Sequence, residues 1–144
     1  MKVRAAVVIV EDDQVALIKR VRDGRTYFVF PGGGVEDGET PEATAVREAF
    51  EELGVEVELG RLISEGLGND RLHLHYLARV VRGEFGTGAG REMVTSGETP
   101  KGTYRPVWMD LDDLLQYEVR PMRLARVLSS RGLIQTRKVQ PVEE

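Results

Sequence analysis

The stretch PGGGVEDGETPEATAVREAFEELGV, residues 31–55, constrains this chain more than any other part of it. A short aromatic strand is predicted to end at Pro31, because proline cannot donate to a central strand ladder. Three glycines follow, and then a helix with Thr40 as N-cap and Pro41 at its first position. Gly54 is placed to end this helix in a left-handed conformation. The pattern therefore predicts a strand, a glycine turn and an acidic helix in direct succession.

The predicted helix has two different faces when its residues are placed about 100° apart. We expect one face to pack on a sheet as an apolar stripe of Val46, Ala49, Phe50 and Leu53. The opposite face carries the carboxylates of Glu48, Glu51 and Glu52. A solvated helix surface explains these acids, since exposed like charges cost only a few tenths of a kcal/mol. In a cleft, by contrast, clustered carboxylates favour a divalent cation.

The glycines before the helix, Gly32, Gly33 and Gly34, are candidate substrate-binding residues. A backbone without Cβ atoms can approach a phosphate closely and direct its N–H groups at it. The alternative is that the three glycines only form a tight turn and bind no phosphate. Because amides and metal ions together are a common means of holding a diphosphate, we predict that the glycines and the acidic helix act on one ligand.

Composition narrows the chemistry that this chain can perform. Its 144 residues include no cysteine and two histidines, which excludes a disulfide framework, a thiolate nucleophile and a three-histidine zinc centre. If the protein is an enzyme, its chemistry must therefore rest mainly on carboxylates, arginines and backbone amides. This composition suits a hard cation such as Mg²⁺ or Mn²⁺. The formal net charge of −4 argues against broad nucleic-acid binding.

The predicted location is cytoplasmic and the predicted organisation is one α/β domain over residues 1–144, with residues 136–144 as a frayed tail. No apolar run approaches the roughly 18 residues that span a bilayer, so no membrane partner is expected. The amino terminus is predicted to be a strand rather than a signal peptide. The predicted strands cover residues 3–10, 15–21, 27–30, 55–65, 72–81 and 104–109.

Loops are predicted at residues 22–26 and 66–70, between strands. The glycine-rich segment 83–102 is long for a plain connection and is interpreted as functional or mobile. Asp110 is predicted to cap a short helix, with Asp113 completing a capping box. A last helix is expected over residues 121–129.

The spacing of the charged residues and glycines in residues 33–55 resembles the Nudix box, G-x5-E-x7-R-E-U-x-E-E-x-G-U, in which U is bulky and aliphatic. Every charged residue and both glycines match, and Ala49 is a mild departure because it is smaller than usual. The later WMDLDDL segment also looks like the family. The resemblance implies the Nudix fold, a mixed β-sheet between helices with the box as loop–helix–loop.

The resemblance also implies an activity, the hydrolysis of a nucleoside diphosphate linked to another moiety by water attack on phosphorus, with Mg²⁺ or Mn²⁺. The metal ligands it implies are Glu48, Glu51 and Glu52, and Glu52 is expected to be the indispensable one. Glu39 and Arg47 are implied to pair and to brace the box, and an arginine beside the acids can orient one of them. The alternative is a Nudix-fold module that senses a nucleotide without cleaving it, which usually lacks a box glutamate.

The catalytic base is implied to be either a box glutamate or an acid from the 83–102 segment, where Glu92 and Glu98 are the candidates. For each of these two residues, the alternative is an ordinary solvated charge on a loop. Arg20 and Tyr27 are candidate substrate contacts, since arginine attracts phosphate and a tyrosine ring can stack on a base. The alternative for Arg20 is an exposed charge on a hairpin, and the alternative for Tyr27 is packing in the core.

Two further expectations concern the rest of the substrate and the assembly. His73 and His75 alternate with apolar residues and therefore face the same side of a strand, as a polar surface or as substrate contacts. The predicted partner is a small-molecule nucleotide, whose identity must be selected by residues outside the box. Many family members dimerise, so a homodimer is compatible with the resemblance.

Overall fold

The computed structural model of the protein describes residues 2–88 and 102–131. Its first half contains strands β1 (Lys2–Glu11), β2 (Gln14–Arg22), β3 (Arg25–Val29) and β4 (Gly32–Gly34), followed by helix α1 (Pro41–Leu53). The remaining strands are β5 (Val55–Gly68), β6 (Arg71–Gly83), β7 (Thr103–Asp110) and β8 (Val119–Arg120). A 3₁₀ helix (Leu111–Gln116) precedes β8, and helix α2 (Met122–Ser129) follows it.

The described strands form one curled mixed sheet in the order β5–β6–β1–β2–β3–β8, with β4 paired to β1 and β7 paired to β2. Strand β1 is parallel to β6 and β3 is parallel to β8, whereas the other pairs are antiparallel. Strand β1 lies centrally because its apolar run tolerates burial on both faces. Its alternate residues enter two cores, one that includes α1 and one that includes α2 and the 3₁₀ helix. The predicted mixed sheet between helices is confirmed.

The bounds of α1 follow from local sequence signals. The Thr40 hydroxyl accepts a hydrogen bond from the N–H of Ala43 at 3.0 Å, and Pro41 is the first helical residue. Gly54 adopts a left-handed conformation with φ of 83°, and its N–H donates to the Phe50 carbonyl at 2.9 Å. The predicted start and end of this helix are confirmed.

The predicted faces of α1 are wrong in part. Two residues of the expected apolar stripe, Val46 and Phe50, are 37% and 53% exposed. The side facing the sheet instead includes Thr44, Ala45 and Glu52, and Glu52 is only 6% exposed. A carboxylate can be buried only where it has hydrogen-bond partners, so its burial depends on a neighbouring strand rather than on the periodicity of the helix.

The glycines form strand β4 rather than the predicted turn. Residues 32–34 pair antiparallel with residues 4–6 of β1, and the Pro31 carbonyl accepts a hydrogen bond from the N–H of Val7 at 2.9 Å. A Cβ added to Gly32 would overlap the backbone of β1. Glycine is therefore required here by the close approach of two strands.

Several other predicted boundaries also change. The loop at residues 22–26 shrinks to Asp23 and Gly24, because β2 and β3 stay paired to the ends of the hairpin. Strand β5 similarly continues through most of the predicted 66–70 turn. The capping box is wrong, since the Asp110 side chain makes no capping hydrogen bond.

Strand β8 has two residues and depends on pairing with β3, so no local pattern marks it. The last helix begins at Met122, close to the expected position. The tail at residues 136–144 lies outside the described residues. Among those that are described, no helix combines the length and the apolar character that a membrane crossing requires.

Replacing Ala49 with leucine tests how closely α1 packs on the sheet. Ala49 is fully buried, and inserting a larger side chain into a filled core typically costs 1–3 kcal/mol. We expect the free energy of unfolding of Ala49→Leu, measured by urea denaturation, to fall by about 1–3 kcal/mol. Ala43→Leu, on the exposed side of the same helix, is the control and should change it by less than about 0.5 kcal/mol. Equal stabilities of the two variants would contradict this packing.

Candidate functional site

Arg47 gathers the acidic side chains around α1. Its Nε and Nη2 donate to the two carboxylate oxygens of Glu39 at 2.7 and 3.0 Å. Its Nη1 donates to Glu48 at 3.0 Å and to Glu51 at 3.3 Å. A paired guanidinium–carboxylate contact is stronger and more directional than a single hydrogen bond. Arg47 is therefore anchored on Glu39 and orients two of the three predicted metal ligands.

Glu39 is held from several directions. The Thr44 hydroxyl donates to it at 2.6 Å and the N–H of Glu36 at 3.1 Å. The hydrogen bonds from Arg47 and then Thr44 lower the pKa of Glu39 to about 2, and the same contact with Glu39 raises the pKa of Arg47. Glu39 is therefore ionised at neutral pH, so the pair with Arg47 keeps both charges.

The glycine strand makes room for the other acids of α1. The N–H of Gly32 donates to Glu52 Oε1 at 2.9 Å, which provides a partner for the buried carboxylate. A Cβ at Gly33 would overlap the carboxylate of Glu48, so glycine lets that side chain approach the strand. The position of a Cβ at Gly34 is open, and its carbonyl accepts a hydrogen bond from Arg47 at 3.4 Å. Within the fold, the small size of Gly33 serves the approach of Glu48 and that of Gly32 serves the approach of β1, and the phosphate contact predicted for the three glycines remains a prediction.

The donor set of α1 fits a hard divalent cation. Glu48, Glu51 and Glu52 supply only carboxylate oxygens, which Mg²⁺ and Mn²⁺ prefer, from one helix. Across residues 2–88 and 102–131, however, no three acidic or histidine side chains surround one point closely enough to hold an ion. The described rotamers direct these acids toward Arg47 and Gly32.

Arg4 places a positive charge beside the acids. It lies on β1 opposite Gly34, and its Nη2 donates to the Phe30 carbonyl at 2.9 Å. Burial lowers the pKa of Arg4, while the charges of Glu52 and Glu48 act in the opposite direction. Arg4 was not predicted as a site residue from the sequence. An arginine inside an otherwise apolar central strand is the signal that would have found it.

A cavity of about 600 Å³ adjoins Arg4. Five arginines line it, and we call it the arginine cavity; they are Arg4, Arg20, Arg71, Arg120 and Arg123. No aspartate or glutamate is among the described residues of its lining. Arg4 and three other arginines of this cavity were not predicted as site residues. Those three come from β6, β8 and α2, so they meet only in the folded chain.

Arg20 and Tyr27, the predicted substrate contacts outside the box, both line the arginine cavity. The guanidinium of Arg120 lies 3.8 Å from the centre of the Tyr27 ring, and that of Arg20 lies 5.4 Å from it. Arg20 also lies 4.0 Å from the ring centre of Tyr104. Cation–π contacts of this kind hold the arginines in place and cover the tyrosine ring.

The two histidines line the same cavity, as expected for residues on one face of a strand. His73 Nε2 lies 3.0 Å from the Gly68 carbonyl. His75 is 2% exposed, packs edge-on against Phe30, and has no protein partner for its Nδ1 among the described residues. Burial lowers the pKa of His75 to about 3, so its ring is neutral at pH 7. His75 therefore adds no positive charge to the cavity, whose lining includes five arginines.

The start of the connection after β6 packs against the end of α1. The N–H of Gly86 donates to the Leu53 carbonyl at 2.9 Å. A Cβ at Gly88 would lie 2.6 Å from the carbonyl oxygens of Glu51 and Glu52, so this segment contacts the helix directly. Glu92 and Glu98 lie outside the described residues, and their role as catalytic base stays a prediction.

A family model described as the NUDIX domain matches residues 1–128. The chain belongs to the Nudix family. Human diphosphoinositol polyphosphate phosphohydrolase 2 is 42% identical over 67 residues, which are 46% of this chain and 37% of that protein. The chain therefore spans less than two fifths of the length of this relative.

Solved Nudix structures share the fold. A NUDIX hydrolase from Nitrosomonas europaea superposes with a TM-score of 0.67 at 21% identity, over 91% of this chain and 89% of that one. A MutT NUDIX hydrolase from Burkholderia pseudomallei has a TM-score of 0.62 at 27% identity, over 86% and 94% of the two chains. The Nudix fold predicted from the box is confirmed.

Glu39→Gln removes the charge that anchors Arg47 without changing the size of the side chain. We expect the affinity for Mn²⁺, measured by electron paramagnetic resonance titration, to fall about 10- to 100-fold, as is typical for groups that orient metal ligands. The lowered pKa also sets a pH window. The ion pair stabilises the fold above the usual carboxyl pKa of 4.5, and this contribution is lost as the pH falls from 4.5 to about 2.

Glu36→Gln is the matched control, because Glu36 is exposed and lies 3.8 Å from Arg47. Its Mn²⁺ affinity and its acid unfolding profile should stay close to those of the unmodified protein. If Glu39→Gln matched this control in both measurements, Glu39 would not brace the acids.

Proposed function

We propose that this protein is a divalent-metal-dependent hydrolase of phosphoric anhydride bonds that acts on a small molecule carrying a diphosphate. The observation that carries the proposal is the complete set of box acids on α1, with Glu52 bonded to the Gly32 amide and Glu48 and Glu51 bonded to Arg47. The Nudix family membership supports it. A relative named as a phosphohydrolase of diphosphoinositol polyphosphates supports the same reaction class.

In the proposed reaction, the oxygen of a water molecule attacks one phosphorus of the diphosphate, and the bond to the bridging oxygen breaks. The leaving phosphate keeps the electron pair of that bond. A carboxylate accepts the proton of the water, and the candidates are a box glutamate, Glu92 or Glu98. When bound, Mg²⁺ or Mn²⁺ would neutralise the phosphate charge and make the water more acidic.

The protein groups have separate tasks in this scheme. Glu48, Glu51 and Glu52 would hold the cation, and Arg47, anchored on Glu39, would orient two of them. Arg4 offsets part of the acidic charge from the side of the sheet. For the rest of the substrate, a nucleoside linked through the diphosphate is the class implied by the box.

The proposal is tested by Mg²⁺-dependent phosphate release, measured after coupling to a phosphatase, over nucleoside triphosphates, nucleotide sugars, dinucleoside polyphosphates and ADP-ribose. We expect turnover of at least one compound and none without a divalent cation. Tight nucleotide binding without turnover of any compound would favour the nucleotide-sensing alternative.

Glu52→Gln should lower this turnover by at least about 100-fold, since it removes one charge from the predicted metal ligands. The amide oxygen can still accept the hydrogen bond from Gly32, so we expect the circular dichroism spectrum and the cooperative thermal transition to persist. Glu42→Gln, at an exposed position of the same helix, should leave turnover unchanged. Near-normal turnover in Glu52→Gln would remove the role assigned to Glu52.

A further inference from the structure

We propose that Thr44 is a positioning residue of the site, because its hydroxyl fixes the carboxylate on which Arg47 is anchored. Residue 44 occupies one of the unspecified positions between the first glutamate and the arginine of the Nudix box, so the motif gives it no role. The inference rests on the proposed function in so far as the acids of α1 are metal ligands. Its first measurement needs no metal.

The first support is the burial of a hydroxyl group. Thr44 is fully buried on the side of α1 that faces the sheet, as are Ala45 and Ala49. A buried hydroxyl costs free energy unless it is hydrogen-bonded, and an apolar residue of similar size could fill the same space. What distinguishes Thr44 from such a residue is therefore the hydrogen bond that it makes.

The second support is the acceptor of this hydrogen bond. A threonine inside a helix often donates to the carbonyl four residues earlier, and the Thr40 carbonyl lies 3.1 Å from the Thr44 hydroxyl. Glu39 Oε1 is closer, at 2.6 Å, which is the range of charge-assisted bonds from a hydroxyl to a carboxylate. Because a hydroxyl has one proton, it donates mainly to the nearer and charged acceptor.

The third support is the geometry at Glu39. Its Oε1 also accepts from Arg47 Nη2 at 3.0 Å, and its Oε2 accepts from Arg47 Nε at 2.7 Å. These two contacts form together in only one orientation of the carboxylate, so rotation of the carboxylate breaks them. The Thr44 hydroxyl opposes this rotation from a β-branched side chain with few rotamers in a helix. The N–H of Glu36 also donates to Oε1, but residues 36–38 are exposed, so Thr44 ties Glu39 to the buried side of α1.

The location of Thr44 connects it to the acids of the site. Thr44 and Arg47 are three residues apart and therefore lie on one side of α1. Arg47 Nη1 donates to Glu48 and to Glu51. A change at Thr44 therefore reaches two predicted metal ligands through the pair of Glu39 and Arg47. Groups that orient metal ligands affect metal affinity although they do not touch the ion.

Two pairs of proteins separate the hydroxyl from the packing of the side chain. Thr44→Val keeps the branched shape of the unmodified residue and loses the hydroxyl. Thr44→Ser keeps the hydroxyl and loses the methyl group, and Thr44→Ala differs from Thr44→Ser only in the hydroxyl. If Thr44→Val does not fold, as judged by urea denaturation, the second pair carries the comparison.

The first measurement is made without metal ions. Arg47 Nε–H is bonded to Glu39, and its exchange with water is followed by ¹⁵N nuclear magnetic resonance, with Arg47→Lys identifying the signal. We expect exchange at least about fivefold faster in Thr44→Val and Thr44→Ala, since the loss of one hydrogen bond lets the pair open more often. The rate in Thr44→Ser should stay within about twofold of that in the unmodified protein.

The second measurement is the affinity for Mn²⁺, by electron paramagnetic resonance titration. We expect it to fall about three- to tenfold in Thr44→Val and Thr44→Ala. This fall is smaller than that expected for Glu39→Gln, because Arg47 still bonds to Glu39 when the hydroxyl is absent. Thr44→Ser should bind Mn²⁺ as tightly as the unmodified protein.

The matched control is Tyr76→Phe, which also removes a buried hydroxyl that donates to α1. Tyr76 is 6% exposed, and its hydroxyl donates to Glu42 at 3.4 Å. Glu42 is outside the group of acids bonded to Arg47. This variant should leave the exchange of Arg47 Nε–H and the Mn²⁺ affinity unchanged.

Equal values for Thr44→Ser and Thr44→Ala in both measurements would overturn the inference, because the hydroxyl would then have no effect beyond packing. Unchanged exchange in Thr44→Val, or faster exchange with unchanged Mn²⁺ affinity, would overturn it as well. If the unmodified protein bound no Mn²⁺, the proposed metal-dependent hydrolysis would fail. The exchange of Arg47 Nε–H would still decide whether Thr44 positions Arg47.

Discussion

The hydrogen bond from the Gly32 amide to the Glu52 carboxylate is the contact on which the site depends. It joins a strand beside the centre of the sheet to the acidic helix, and it provides a hydrogen-bond partner for a carboxylate whose unpaired burial would cost several kcal/mol. The close approach requires glycine at Gly32, because a Cβ there would overlap the backbone of β1, and glycine at Gly33 leaves room for the Glu48 carboxylate. The flexibility of the glycines matters less than their small size.

Charge is distributed around this contact in two zones of opposite sign. Glu48, Glu51 and Glu52 form the acidic zone, where Arg47 bonds two acids and is itself anchored on Glu39. The arginine cavity forms the basic zone, and Arg4 lies at the boundary between them.

Four of the cavity arginines, Arg4, Arg20, Arg120 and Arg123, are stacked on tyrosines, bonded to carbonyl groups or paired with Glu118. These contacts reconcile several like charges in one place with a stable fold, since each of the four cations gains a partner. Tyr27 lines the cavity, is 8% exposed and has the Arg120 guanidinium over its ring, and its substrate contact stays a prediction.

The sequence by itself determined the bounds of α1 and, through the resemblance of residues 33–55 to the Nudix box, the mixed sheet. Thr40, Pro41 and Gly54 act through their own backbone and nearest neighbours, and the spacing of the box acids on one helix is likewise local. Only the tertiary structure decided which side of α1 is buried. Glu52 bonds to Gly32, which lies 20 residues away, and the hydrophobic periodicity of the helix does not predict this contact. The tertiary structure alone also assembled the arginine cavity, whose members come from β1, β2, β6, β8 and α2 and meet through long-range strand pairing.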